Sequence, residues 1–370
     1  MKIGTVKEIK RYEYRVGLTP SNVKEYVNHG HTVYVQAGAG AGSSFSSEEY
    51  AAAGATILST AKEVWDACDM IVKVKEPLED EFPLIREGQI IYTYLHLAAA
   101  RPLTEALLAS KAKAVAYETI EDAAGGLPLL RPMSEIAGKL SVQAGARCLE
   151  KPMGGRGVLL GGALGVKKAE CVIIGAGVVG TAALKMAIGL GANVTILDRN
   201  MERLGYLEDV FGSRIQTLYS TPSAIEEVLP HADLVIGAVL IPGAKAPKLI
   251  RRHHLKMMKP GAVIVDVAVD QGGCAETTTP TYHDAPTFVV DDVVHYCVAN
   301  MPGAVSQTST IALTNATLDY GLKIANLGLE AALAGDKGLR PGVNCYNGYL
   351  TCEEVANAFD MTYTPLDAAL

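Results

Sequence analysis

Four side chains are of the types needed to hold a small charged substrate and move a proton. Arg15 lies in Glu13-Tyr14-Arg15-Val16-Gly17-Leu18-Thr19-Pro20, a loop after a first apolar run. Lys75 closes the run Met70-Ile71-Val72-Lys73-Val74-Lys75, and His96 closes Ile90-Ile91-Tyr92-Thr93-Tyr94-Leu95-His96. Asp270 follows a later apolar run, within Asp266-Val267-Ala268-Val269-Asp270-Gln271-Gly272-Gly273. Two cations suit recognition of a carboxylate. An imidazole titrating near neutral pH suits general acid–base work. Taken singly, each has an ordinary explanation: basic residues at strand ends are commonly solvated, and a histidine there commonly caps a turn. Lys73, two residues before Lys75, is expected on the same side of its strand. Asp266, embedded in the apolar run, reads as structural, which leaves Asp270 to face the crevice.

A second kind of chemistry is written in glycine. Gly175-Ala176-Gly177-Val178-Val179-Gly180 follows the apolar run Cys171–Ile174 and opens an apolar helical pattern. In that context Gly175 makes the tight turn, Gly177 lets the backbone approach a pyrophosphate, and Gly180 lets the helix pack on the sheet. The helix N-terminus adds unpaired N–H groups and the positive end of its dipole. Asp198 closes the next run, where an acid accepts from a ribose 2′-hydroxyl and repels a 2′-phosphate, so NAD is expected over NADP. Arg199 and Arg203 lie close enough to temper that preference. Another glycine run, Gly38 to Ser44, lacks the third glycine in register, and Glu48 and Glu49 come too early for a ribose acid. It reads as a flexible or closely packed loop rather than a phosphate site.

The elements that must position these residues form a repeating pattern. Apolar runs at Ile3 to Val6, Thr32 to Gln36, Met70 to Lys75, Ile90 to His96 and Ala114 to Tyr117 alternate with helical segments such as Thr19 to Asn28, Ser47 to Ala53 and Pro102 to Ser110. Two prolines, Pro128 and Pro132, interrupt this group. A long helix is expected from about Ser134 to Leu149, with Ser134 at its N-cap. Six further strands follow: Cys171 to Ile174, Asn193 to Leu197, Ile215 to Leu218, Leu234 to Gly237, Val263 to Val267 and Thr287 to Val289. Beyond Met301-Pro302-Gly303 a helical stretch over Gln307 to Leu333 is expected, with no further strands. The fold class is α/β, with two doubly wound Rossmann-like domains and a cleft between them. The N-terminal one is discontinuous: residues 1–128 and 307–370 form the substrate domain, and 129–306 the NAD-binding domain.

Length and composition narrow the class of function. The 370 residues suggest two domains. A formal charge of −7 argues against a nucleic-acid partner, which would call for a basic excess. The most apolar stretch, Cys171 to Leu197, is broken by Lys185 and five glycines into pieces too short for a membrane span. Met1 to Glu8 has no apolar signal core. Seven scattered cysteines without a C-x-x-C pair fit reduced thiols in a reducing compartment, and no Cys/His spacing supports a metal. His253-His254 reads as a solvated face. A cytoplasmic protein is expected.

Longer segments carry a resemblance. Gly4-Thr5-Val6-Lys7-Glu8, Glu13-Tyr14-Arg15-Val16, Tyr94-Leu95-His96-Leu97-Ala98, Arg131-Pro132-Met133-Ser134-Glu135-Ile136-Ala137-Gly138, the glycine turn, Asp266 to Gly273 and Val298-Ala299-Asn300-Met301-Pro302-Gly303 resemble the alanine dehydrogenase and transhydrogenase nucleotide-domain family over the whole length. The resemblance implies reversible NAD-dependent oxidative deamination of L-alanine to pyruvate and ammonium. It implies that Arg15 and Lys75 bind the substrate and that His96 and Asp270 serve the chemistry. For NAD it implies Ser134, Gly175, Gly177, Val178, Val179, Gly180, Asp198, Arg203, Ser220, Val239, Leu240, Val267, Ala268, Val269, Asp270, Val298, Ala299, Asn300 and Met301. It also suggests a homohexamer. Two other readings share the glycine turn: a dehydrogenase of another small amino acid, such as a saccharopine-type relative, and a non-catalytic NAD-binding transhydrogenase subunit. The second has no reason to place Arg15, Lys75 and His96 together.

Overall fold

The computed structural model describes residues 1–239 and 246–370. Within them, contacts divide the chain into two units: Met1–Met133 with Val305–Leu370, and Ser134–Ala304. The first segment contains β1 (Lys2–Thr5), β2 (Thr32–Gln36), β3 (Thr56–Leu58), β4 (Met70–Val72), β5 (Ile90–Thr93) and β6 (Lys113–Ala116). The second unit contains β7 (Glu170–Ile174), β8 (Asn193–Asp198), β9 (Ile215–Tyr219), β10 (Leu234–Gly237), β11 (Val263–Asp266), β12 (Thr287–Val290) and β13 (Val293–Tyr296). The returning segment adds β14 (Val343–Tyr346) and β15 (Tyr349–Leu350).

In the first unit the strand order is β15-β14-β6-β5-β4-β1-β2-β3, parallel from β6 to β3 and antiparallel at β14 and β15. The parallel part runs outward from β1 in both directions, which is the doubly wound order with its switch point between β1 and β4. Apolar residues from both segments of the chain share one core, including Trp65, Ile71, Ile91, Leu107, Cys345 and Val355. Helix starts follow local sequence. Thr19, Ser46 and Thr60 each close a capping box with Asn22, Glu49 and Glu63 respectively.

The second unit repeats the plan with the order β12-β13-β11-β10-β7-β8-β9, and its switch point lies between β7 and β10. β12 alone is antiparallel. Val172, Ile174, Leu197, Val235 and Ile264 sit at the centre of its core. Among the described residues, no helix is long and apolar enough to cross a membrane. All seven cysteines are buried and unpaired.

Several expectations are corrected. β4 stops at Val72 and β5 at Thr93, so Lys75 and His96 lie in the turns beyond their strands rather than at the strand ends. The long helix begins at Arg131 and ends at Cys148, which puts Ser134 inside its first turn and not at the N-cap. The stretch over 307–333 is two helices, Ser306–Leu327 and Leu329–Gly335, broken at Gly328, whose φ of 81° suits glycine. The expected final strand near Thr287 is the antiparallel edge, and the parallel strand is β13. The two join through Asp291 and Asp292, at φ 46° and 63°, the pattern of a type I′ hairpin. Strands do follow the Met301 turn, and their signal was the Asn347-Gly348 pair between β14 and β15. Of the His253-His254 pair only His253 lies on a solvated face; His254 is 3% exposed.

Candidate functional site

In the first unit, Arg15, Lys75 and His96 follow the carboxyl ends of β1, β4 and β5, the central strands at the switch point. Arg15 is only 2% exposed. Its Nε and one terminal nitrogen donate to the two oxygens of Glu13, at 2.7 and 2.6 Å, and the other terminal nitrogen lies 3.0 Å from Met133 Sδ. The paired edge of the guanidinium is therefore committed to Glu13. Burial would raise the Glu13 carboxyl, but bonding to Arg15 holds it down to about 2.

Lys73 and Lys75 part company. Lys73 is fully buried, and its ammonium bridges Glu8 at 3.1 Å and Glu81 at 2.9 Å. The other Glu8 oxygen accepts the backbone N–H groups of Val74 at 2.6 Å and Lys75 at 3.2 Å. The triad thus fixes the backbone from which Lys75 projects. Lys75 is half-buried and makes no ion pair among the described residues; burial, then the charge of Arg15, lowers its pKa. A lysine in that state is a ready hydrogen-bond donor and proton source.

His96 adopts φ 49° and ψ 38°, in the left-handed region. Glu118 holds that turn: it accepts the backbone N–H of His96 at 2.5 Å and that of Leu95 at 3.0 Å. The imidazole is about half exposed, with Nδ1 3.5 Å from Glu76 Oε2. The other Glu76 oxygen pairs with Lys10.

In the second unit the glycine turn follows β7, and Gly177 caps the helix Val178–Gly189. Gly175 has φ 107°, and a Cβ there would meet the Ala238 carbonyl oxygen at 2.6 Å; one on Gly180 would lie 1.8 Å from the Gly175 oxygen. A Cβ on Gly177 would meet nothing within 4 Å. Two glycines are thus demanded by the fold, while the third faces open space before a helix N-terminus, which fits a dinucleotide pyrophosphate. By contrast, a Cβ on Gly40 or Gly42 would strike Tyr50 or Tyr14, so the second glycine run is packed against protein at both positions, while one on Gly38 would meet nothing within 4 Å.

Asp198 ends β8, and its carboxylate accepts the N–H groups of Ala176 at 2.5 Å and Asn200 at 2.8 Å. Arg203 donates to the Ala176 carbonyl at 2.9 Å and to Thr181 Oγ1 at 2.7 Å. Both residues clasp the glycine turn, and Arg199 is exposed. Ser220 follows β9 and donates its N–H to the Asp198 carbonyl at 2.9 Å. Val239 follows β10, next to the position a Gly175 Cβ would occupy. Leu240 lies outside the described residues. Val267, Ala268, Val269 and Asp270 form a 3-10 turn after β11, with Asp270 exposed. Val298, Ala299, Asn300 and Met301 follow β13, with Asn300 at φ 58°. Ser134, Val178 and Val179 lie in the first turns of their helices. Asp266 is fully buried and accepts from Ala268 at 3.2 Å, Ala275 at 3.0 Å and Thr278.

Among the described residues, Glu226, His253 and His254 are the one group of side chains close enough to share a cation. The Arg251 N–H donates to His254 Nδ1 at 3.1 Å, so in the neutral ring Nε2 carries the proton and points it at Glu226, 3.4 Å away. That nitrogen has no lone pair for a metal.

Glu13, Glu76, Glu118 and Glu8 were not anticipated as part of the site. Glu13, two residues before Arg15, had a local signal. Glu76 directly follows Lys75 but meets His96 only through the fold, and Glu118 and Glu8 reach the site across 22 and 66 residues.

Two family descriptions match the chain: "Alanine dehydrogenase/PNT, N-terminal domain" over residues 4–137 and "Alanine dehydrogenase/PNT, C-terminal domain" over residues 141–353. The chain is 56% identical to an alanine dehydrogenase of Methanococcus maripaludis over 100% of both chains. It is 54% identical to one of Bacillus subtilis, covering 100% of this chain and 98% of that one. A solved L-alanine dehydrogenase superposes with TM-score 0.95 at 54% identity, covering 97% of this chain and 99% of its own.

Proposed function

The chain belongs to the alanine dehydrogenase/PNT family, and we propose that it catalyses the reversible NAD-dependent oxidative deamination of L-alanine to pyruvate and ammonium. The observation that carries this reading is identity above one half, over the full length, to alanine dehydrogenases. The fit of the glycine turn to a dinucleotide supports the cofactor.

Bound NAD supplies the hydride acceptor; the remaining work falls to side chains. Arg15 and Lys75 hold the carboxylate and carbonyl end of pyruvate. Arg15 is positioned for this by Glu13, which fixes the plane of its guanidinium, and Lys75 by the backbone bonds of Glu8. His96 takes up and returns the protons of water and amine as the carbon–nitrogen bond breaks or forms. Asp270 stabilises cationic nitrogen. For the cofactor we assign the residues given above, with Gly177 at the pyrophosphate and Asp198 at the adenine ribose. We further propose a cytoplasmic homohexamer, on the family resemblance; the exposure of Leu159, Leu164 and Val166 in the second unit fits a contact between copies of the chain.

The direct test is loss of NADH absorbance with pyruvate plus ammonium, and none with pyruvate alone. Oxidation without ammonium would identify a hydroxy-acid dehydrogenase instead. The cofactor assignment makes its own prediction. Asp198 presents a carboxylate where NADP would bring its phosphate, so kcat/KM for NAD exceeds that for NADP, and Asp198→Ala narrows the ratio. Equal kcat/KM for both cofactors in the unmodified protein contradicts the assignment. Because Asp198 also bonds Ala176 and Asn200, Asp198→Asn serves as the control for turn geometry.

A further inference from the structure

Glu76 is the strongest unassigned feature of the first unit. Its two oxygens have different surroundings. Oε1 pairs with the Lys10 ammonium, whose side chain is 42% exposed. Oε2 is sealed from solvent and accepts no hydrogen bond at ordinary distance, yet lies 3.5 Å from His96 Nδ1. A sealed carboxylate oxygen without a donor is costly. An approach of about 0.5 Å brings the imidazole N–H into normal hydrogen-bond range of it. The other groups around His96 do not compete for Nδ1. Glu118 is taken up by the backbone N–H groups of Leu95 and His96, and Tyr94 presents its ring, with centroids 5.9 Å apart, while its hydroxyl donates to the Leu129 carbonyl.

A neutral imidazole carries one N–H and one lone pair, and its hydrogen-bond partner decides which nitrogen has which. We propose that Glu76 is a positioning residue that holds His96 as its Nδ1–H tautomer, so that Nε2 carries the lone pair used for proton transfer. The proposal rests on the assignment of His96 to the chemistry. In support, burial alone would raise the Glu76 carboxyl, but interaction with His96 and Lys10 holds it down to about 2, so it remains an acceptor through the working pH range.

The arrangement makes an unusual prediction for Glu76→Gln. Lys10 demands an oxygen, so the amide presents its oxygen to Lys10 and its NH2 to His96. The NH2 then donates to Nδ1, and the ring is forced into the opposite tautomer. Nitrogen-15 NMR of histidine-labelled protein, at a pH where the ring is neutral, reads this directly. The unmodified protein shows His96 as Nδ1–H, and Glu76→Gln shows Nε2–H. The variant loses about 10- to 100-fold in kcat, with the Kd for NADH and the melting temperature little changed. In Lys10→Met/Glu76→Gln the amide is free to turn its oxygen to Nδ1–H, and part of the lost kcat returns.

An Nε2–H signal in the unmodified protein overturns the proposal. So does an Nδ1–H signal that persists in Glu76→Gln, or a double variant with no recovery. Loss of turnover, NADH affinity and melting temperature together, with the tautomer unchanged, assigns Glu76 a purely structural role and also overturns it. The tautomer is read without turnover, so its failure is distinct from failure of the His96 assignment, which normal turnover in His96→Asn would reveal.

Discussion

Replacing His96 with alanine lowers kcat for pyruvate amination by roughly 10²- to 10⁴-fold, the usual contribution of a positioned acid–base group. NADH binding is little affected, because the glycine turn belongs to the other unit of the chain. The backbone at this position calls for a second variant. His96 sits at φ 49°, where alanine is strained and asparagine is tolerated. His96→Asn therefore separates the two effects: it keeps the turn and a polar side chain but has no titrating nitrogen. Both variants lose turnover to a similar degree, and His96→Ala alone also loses some melting temperature. A purely structural histidine behaves differently, with residual activity following the folded fraction and His96→Asn nearly normal. Turnover, NADH affinity and melting temperature measured on both variants decide the matter. Near-normal turnover in a folded His96→Asn removes the residue from the mechanism.

Replacing Glu13 with glutamine destabilises the protein by about 3–5 kcal/mol, the cost of leaving a buried charge without its counter-charge. The side chains of Glu13 and Arg15 are 0% and 2% exposed, so water does not step in. The pH dependence follows from the depressed carboxyl. Glu13 ionises at about 2 in the folded chain, against 4.5 ordinarily. Its contribution is therefore complete above about pH 5 and fades as pH falls through that window. The gap in denaturant midpoint between the unmodified protein and Glu13→Gln is widest near neutrality and closes in acid. The KM for pyruvate rises as well, since Arg15 loses the partner that fixes its plane. A variant of unchanged midpoint at pH 7 contradicts this account of the pair. Arg15→Lys serves as the complementary measurement, because an ammonium does not bridge both Glu13 oxygens.

Much of the cofactor half was legible in the sequence, because its determinants are contiguous. Gly175 to Gly180 directly follow β7, and Asp198 ends the next strand, so one strand–turn–helix–strand unit holds the glycine turn and the acid proposed for the ribose. The doubly wound class was legible for the same reason, since buried parallel strands are nearly continuous apolar runs. The substrate half was legible as residue types at the right edge of a sheet and no further. Which of Lys73 and Lys75 is available depends on Glu8 and Glu81. Glu8 lies 65 residues before Lys73 and is brought to it by the pairing of β1 with β4, while Glu81 folds back from the 3-10 turn 8 residues after it. The left-handed turn at His96 depends on Glu118, which arrives through the pairing of β5 with β6. β14 and β15 carried a local hairpin signal in Asn347-Gly348, but their place beside β6 is a contact across more than 200 residues. Periodicity and turn chemistry act between near neighbours, so the sequence by itself determined the elements, the glycine turn and the candidate cations. Which charges are buried in pairs, and which remain to meet a substrate, was decided only when distant strands brought the carboxylates in, because a charge is buried or left exposed according to partners that folding supplies.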